Sequence, residues 1–223
     1  MGLSRSCPCI KRQKMNIKFF ALLSLSLFVI KGSAQSFEGE IIYQNVFKSN
    51  MPNLSAEQLR LLIGTEQQYF IRGGNYKSLI NGQGINMQVY DAATNRIYSR
   101  TPKSDTLYWI DASINNDSLI SYEIRKNAAT ILHYPCDAII MKVRSGTMTL
   151  YYNSALVLEG ARYRRHGYEN WAFYAAHTNA LPLKMIIESG QFRMERTATE
   201  IRPMKLGQDF FTINPGTPLK RRI

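Results

Sequence analysis

Histidine and cysteine are scarce in these 223 residues, three of each, and their placement excludes most metal and thiol chemistry. His133, His166 and His177 stand in no HExxH, HxH or Cys/His arrangement. His166 and Glu169, three residues apart, supply two donors where a zinc site takes three or four. Cys7 and Cys9 precede a long apolar run, so Cys136 is the only thiol in the remainder and no disulfide can form within it. Cys136 leads into the apolar Asp137–Met141 stretch and is expected to be buried, as free cysteine usually is. Also missing are G-x-S-x-G, a phosphate-cradling glycine loop and any repeat of fixed period. Asp105 and Asp111 flank a stretch containing Trp109, as a glycosidase pair would need to, but loop carboxylates are ordinarily just solvated. Having no catalytic, metal-binding or cofactor motif, the chain is expected to be non-enzymatic.

A membrane-length apolar run is lacking too. Phe19–Ile30 gives twelve residues that are apolar or serine, short of the roughly 18 that span a bilayer. Lys11, Arg12, Lys14 and Lys18 lie before it and Gly32-Ser33-Ala34 after it, the layout of an export signal over residues 1–34, complete even with a start at Met15. No cysteine stands at the cleavage point to carry a lipid. The expectation is a protein exported to the periplasm or beyond, neither lipid-anchored nor membrane-spanning. Residues 1–34 hold six of the 28 basic residues and none of the 16 acidic ones, so the remainder carries 22 against 16, or +6 rather than +12. Half the basicity belongs to the leader, and nucleic acid is not an expected partner. Lys220, Arg221 and Arg222 follow Pro215, Gly216 and Pro218 in a tail (216–223) expected to be solvated and frayed.

The chain's positive signal is alternation. The stretches 68–72, 76–80, 85–91, 96–100 and 106–110 place apolar or aromatic residues at every second position, separated by Gly73-Gly74-Asn75, Asn81-Gly-Gln-Gly84, Thr94-Asn95 and Pro102–Asp105. These are hairpin-length joins and predict an antiparallel meander. Further strands are predicted over 37–47, 131–133, 138–144, 147–152, 183–188, 191–202 and 210–213. One helix is predicted over 55–63: Ser55 with Gln58 forms a capping box, Leu59, Leu62 and Ile63 form an apolar stripe, and Gly64 ends it. Residues 112–120 read as a loop, and 154–182 as an irregular lid or single helical turn. The sum is one β-rich domain over 35–215: a curved antiparallel sheet or partly open β-barrel, mainly β with one or two helices, the clear helix on the concave face.

Three stretches, Phe37-Glu-Gly-Glu-Ile-Ile-Tyr43, Ile131-Leu-His-Tyr-Pro-Cys136 and Leu181-Pro-Leu-Lys-Met185, resemble exported proteins of Gram-negative bacteria of the Bacteroidetes type, the GLPGLI-related group. That group looks akin in architecture to the periplasmic lipoprotein-carrier (Lol) proteins. The resemblance implies a curved sheet whose apolar cavity holds acyl chains, and it brings no catalytic residues.

Two candidate sites follow. Methionines adapt to irregular apolar space, and Met87, Val89, Leu107, Trp109, Met148, Leu150, Met185 and Ile187 are expected to line a lipid-sized cavity. Arg162, Arg164 and Arg165, beside Tyr168 and Trp171, make the densest basic cluster and are the candidates for contact with an anionic membrane surface. The rival expectation is a protein-interaction module with a filled core and an envelope protein as partner.

Overall fold

The computed structural model describes residues 35–222, together with Met1 and Gly2. The expected export signal lies outside the described residues. Twelve strands form a single sheet: β1 (Gly39–Ser49), β2 (Glu66–Arg72), β3 (Asn75–Ile80), β4 (Met87–Asp91), β5 (Arg96–Arg100), β6 (Leu107–Asp111), β7 (Leu119–Ile131), β8 (Tyr134–Val143), β9 (Gly146–Val157), β10 (Ala180–Ser189), β11 (Phe192–Pro203) and β12 (Leu219–Arg221). Their order is β12-β6-β5-β4-β3-β2-β1-β11-β10-β9-β8-β7. All pairs are antiparallel except β12 with β6. The sheet does not close on itself, so the expected open, mainly β architecture is what the residues form.

Its registers sort side chains onto two faces. Cross-strand partners share a face and alternate residues switch it. One row runs Tyr69–Ser78–Gln88–Ser99–Tyr108 and its neighbour Ile71–Tyr76–Tyr90–Ile97–Ile110. The same face continues through Tyr43 and Asn45 of β1, Arg196 of β11, Met185 of β10, Leu150 of β9 and Ile139 of β8. This inner face carries the core, with Ile41, Tyr76, Tyr90, Ile97, Ile139 and Leu150 all buried.

The inner face is filled chiefly by the segment that alternation left unassigned. Residues 160–163 and 168–170 make 3-10 turns and α2 (Trp171–Thr178) follows. Together they form a plug that buries Tyr163, His166, Tyr174 and Ala175. Backbone bonds tether it: Tyr168 N donates to Ala112 O at 2.9 Å, and Asn95 Nδ2 donates to Arg165 O at 3.1 Å. Gly167 passes so close to the β6–β7 connection that a Cβ there would lie 2.6 Å from Ser113 O. Only glycine fits.

Helix α1 (Ala56–Ile63) has the expected capping box, with Gln58 N donating to Ser55 Oγ at 3.1 Å and Ser55 N to Gln58 Oε1 at 2.7 Å. It packs at the far end of the inner face, where Leu59 meets Phe47 and Met194. The apolar stripe is narrower than predicted: Leu62 is 53% exposed and Ile63 half-buried. The turn after β3 explains it, since Gln83 N and Gly84 N donate to the Leu61 and Leu62 carbonyls at 2.8 Å each. The helix end is held by backbone rather than by side chains. Accordingly Ser55→Ala is expected to cost about 1 kcal/mol, and Leu62→Ser to change stability by no more than about 0.5 kcal/mol, both read from urea midpoints.

Four other expectations change. Leu132 and His133 have positive φ (48° and 69°) and form the β7–β8 hairpin turn rather than a strand. Residues 121–130, unassigned from sequence, belong to β7. Phe210–Ile213 does not extend the sheet: Gln208–Phe211 is a 3-10 turn. Finally, Leu219–Arg221 of the expected frayed tail pairs with β6, its side chains exposed.

Candidate functional site

Of the eight residues expected to line one cavity, the sheet divides four from four. Met148, Leu150, Met185 and Ile187 lie on the inner face, packed with Tyr174 and Trp171 in one cluster. Met87, Val89, Leu107 and Trp109 lie on the outer face, one residue out of phase with the Tyr90–Ile97–Ile110 row. There the C-terminal segment covers them. Phe210 packs edge-on against Phe70 at 4.9 Å with the Lys77 ammonium over its ring, Leu107 N donates to Pro218 O at 2.9 Å, and Arg96 stacks 4.0 Å over Trp109. Alternation identifies residues that share a face within one strand. Both rows of this meander are apolar or aromatic, so composition cannot say which row turns inward.

The three arginines sit on the plug's surface. Arg162 pairs with Glu159, Arg165 donates to the carbonyls of Ala92 and Ala93 at 2.7 and 3.3 Å, and Arg164 is exposed. Two of the three thus fasten the plug to its own chain, and all three stay solvent-facing. His177 is exposed, and Cys136 is fully buried as expected.

The inner face retains two adjoining concavities that share Gln88 and Tyr168. The larger is a groove of about 730 Å³ above β4–β6, walled by Ile85, Ser99, Tyr108, Ile110 and Ile114, with the C-terminal Arg221 and Arg222 at its rim. Tyr168 lines the same groove as Arg222; the Glu169 charge and then burial push its hydroxyl above the ordinary value, and the Arg222 charge works against them. The second is a smaller, partly open cavity of about 100 Å³ between sheet and plug, lined by Tyr43, Tyr69, Tyr76, Trp171 and Met185. Its polar side chains are Gln67, Ser78, Gln88, His166, Glu169 and Arg196.

The cavity's electrostatics follow from partial enclosure. His166 is 2% exposed, bonds the Tyr76 hydroxyl through Nε2 at 3.0 Å, and has its pKa pushed down to about 4 by burial. Desolvation raises the Glu169 carboxyl and lowers the Arg196 guanidinium from their ordinary values, and each charge partly offsets the other's shift; Arg196 is half-buried, whereas Glu169 keeps much of its surface in solvent. Arg196 Nε donates to Asn45 Oδ1 at 3.0 Å. Glu169 and Asn170 both hold left-handed backbone, with φ 51° and 59°, a conformation that non-glycine residues rarely adopt and that clusters at functional sites. Asn170 is locked there by its bonds to Asp117 O at 2.9 Å and Asn115 Nδ2 at 2.8 Å. Tyr90, Tyr76 and Tyr69 are visible in the sequence as aromatic residues within the meander's strands. Arg196 and Glu169 are not, because only the crossing of β11 beneath the plug brings them to one place.

The fold and its site define a class: an open antiparallel half-barrel whose concave face is closed by a short helical plug, leaving an apolar groove beside a small polar cavity. No family model matches the chain, and neither does any curated protein. Among solved structures it is similar to an uncharacterised conserved protein from Thermus thermophilus, at 9% identity over 81% of this chain and 90% of that one, with a TM-score of 0.44. PNGF-II is similar at 13% identity and a TM-score of 0.44; the match covers 84% of this chain but only 31% of that one. The LolA superfamily protein NE2245 from Nitrosomonas europaea is similar at 9% identity over 80% and 91% of the two chains, TM-score 0.37.

Proposed function

We propose that this is a non-enzymatic protein of the bacterial envelope, exported by its N-terminal leader, that binds a hydrophobic or amphiphilic ligand such as an acyl chain in the groove above β4–β6. The observation that carries the reading is the groove itself. Its volume of about 730 Å³ lies within the range of roughly 300–1,000 Å³ typical of small-molecule sites. Ile85, Ile110 and Ile114 supply the apolar lining, and Arg222 at the rim meets an anionic end. Groove and lining replace the eight-residue cavity expected from sequence.

A fluorescent fatty acid titrated into the purified full chain is expected to bind and to be displaced by unlabelled fatty acid. Ser99 is half-buried on the groove wall, so Ser99→Trp should fill the groove and weaken uptake by about tenfold or more, the loss of 1.4 kcal/mol or beyond, with an unchanged melting temperature. Uptake unaffected by Ser99→Trp would overturn the assignment of the groove.

One observation favours a second reading, an interaction module. Among the described residues the edge strand β7 pairs on one side alone, and it exposes Ile120, Tyr122 and Ile124, the form of edge that accepts a strand from a partner. Absence of any lipid uptake or co-purifying lipid by native mass spectrometry would favour it.

A further inference from the structure

The cavity between sheet and plug holds more polar chemistry than the protein uses. Gln67 Oε1, Tyr69 Oη, Trp171 Nε1 and His166 Nδ1 are buried atoms without a hydrogen-bond partner among the described residues, and all four residues line this one cavity. Gln67 is 6% exposed and His166 2%. Leaving such groups unpaired in an interior is costly, so their convergence on one space is itself a signal. Two opposite charges face the same space without meeting. Among the described residues the ion pairs include none by Arg196 and none by Glu169. A guanidinium drawn into a protein interior is ordinarily matched by a carboxylate; half-buried Arg196 instead donates to its neutral neighbour Asn45.

We propose that the cavity is a binding site for a small zwitterion, a compound bearing a carboxylate and an ammonium on one carbon, of the kind of a free α-amino acid. The donors Arg196, Trp171 Nε1–H and Tyr69 O–H receive the carboxylate. Glu169 and Gln67 Oε1 accept from the ammonium, and the tyrosine rings close around the carbon between. Size agrees: a cavity of about 150 Å³ admits the six carbons of benzene, so about 100 Å³, open on one side, takes roughly four or five non-hydrogen atoms, the carboxylate, the ammonium and the carbon between them, with a small side chain at the opening. A lone carboxylate would face Glu169, and a lone ammonium would face Arg196. The site stands independently of the groove, which shares only Gln88 and Tyr168 with it.

Isothermal titration of the full chain with glycine, alanine, propionate and alaninamide tests this. Glycine and alanine are expected to bind, and the two single-charge analogues to bind at least tenfold more weakly. Glu169→Gln removes one charge with little change of shape. It should weaken alanine by roughly tenfold to a hundredfold, the worth of a charge-assisted hydrogen bond, while propionate holds or tightens. Arg196→Gln is checked first by thermal melting, because its half-buried site risks the fold; Glu169→Gln carries the test if it fails. No heat from either amino acid at tens of millimolar, as for a cavity that takes water alone, would overturn the proposal. So would equal binding of the analogues, or alanine binding unchanged by Glu169→Gln.

Discussion

Tyr174→Ala is expected to lower the free energy of unfolding by about 3–5 kcal/mol, the range for deleting a large buried aromatic. Tyr174 has no exposed surface. Its ring packs tilted against Trp171 at 5.2 Å and meets Tyr152 edge-on at 6.4 Å, and its cluster includes Ile139, Met141 and Leu150. Its hydroxyl donates to Ala180 O at 3.0 Å, where the chain leaves α2 for β10. Truncation opens a void and removes a hydrogen bond in one stroke. Tyr174→Phe separates the two effects and should cost only about 1 kcal/mol, while Tyr122→Ala, at a ring 47% exposed on the edge strand, should cost still less than Tyr174→Ala. Urea denaturation with a constant m-value measures all three. A Tyr174→Ala cost near that of Tyr122→Ala would show that the plug is not an integral part of the core. Because the plug also carries His166, Tyr168, Glu169 and Trp171, loosening it should impair groove and cavity together.

The second large effect is a loss of stability on mild acidification. His166 is held neutral in the folded chain, with a pKa of about 4, against an ordinary value near 6.5. Below pH 6.5 the unfolded chain takes up a proton that the folded chain refuses. The stability due to neutral His166 is therefore complete above pH 6.5 and is lost as pH falls toward 4. At pH 5 the loss is about 2 kcal/mol, from 1.36 kcal/mol per pH unit over about 1.5 units. Glu169 acts with the opposite sign: its raised pKa means that the folded chain binds its proton more readily than the unfolded one, a gain that arrives only as the carboxyl protonates. The urea midpoint should fall clearly between pH 7 and pH 5. His166→Gln is less stable at pH 7 but should show a flatter fall over that window. A variant as pH-sensitive as the natural chain would remove His166 as the cause.

The two effects share an origin. Tyr69, Tyr76, Tyr90, Tyr163 and Trp171 pack ring against ring through centroid spacings of 5.2–6.1 Å, with His166 4.4 Å from Tyr90. An aromatic wall of this kind buries large area and keeps water from the imidazole. It also explains why the cavity is small: the plug's own rings occupy most of the concave face.

The meander's strands, the Ser55 cap of α1, the buried Cys136 and the open, mainly β architecture were legible from residues alone. Period-two alternation, turn residues and capping spacings are local, and local chemistry decides them. β7 is not legible because it lies at the sheet's edge among the described residues and much of its length is solvated, so its residues are not sorted into buried and exposed sets. The plug was missed for a related reason: its elements are one or two turns long, and their apolar residues answer to the sheet beneath rather than to a helical period.

What only the tertiary structure decided is the inside of the sheet. Val89 and Tyr90 are both buried, on opposite faces, because the C-terminal segment covers one side and the plug the other. A sequence records that a strand is apolar on both faces but not which covering lies where. That depends on contacts made across long stretches of chain, such as Phe210 beneath Lys77 or Arg196 opposite Glu169. The same long-range closure placed the groove on the row Ser99–Tyr108 and set a guanidinium and a carboxylate around one cavity, which no spacing along the chain encodes.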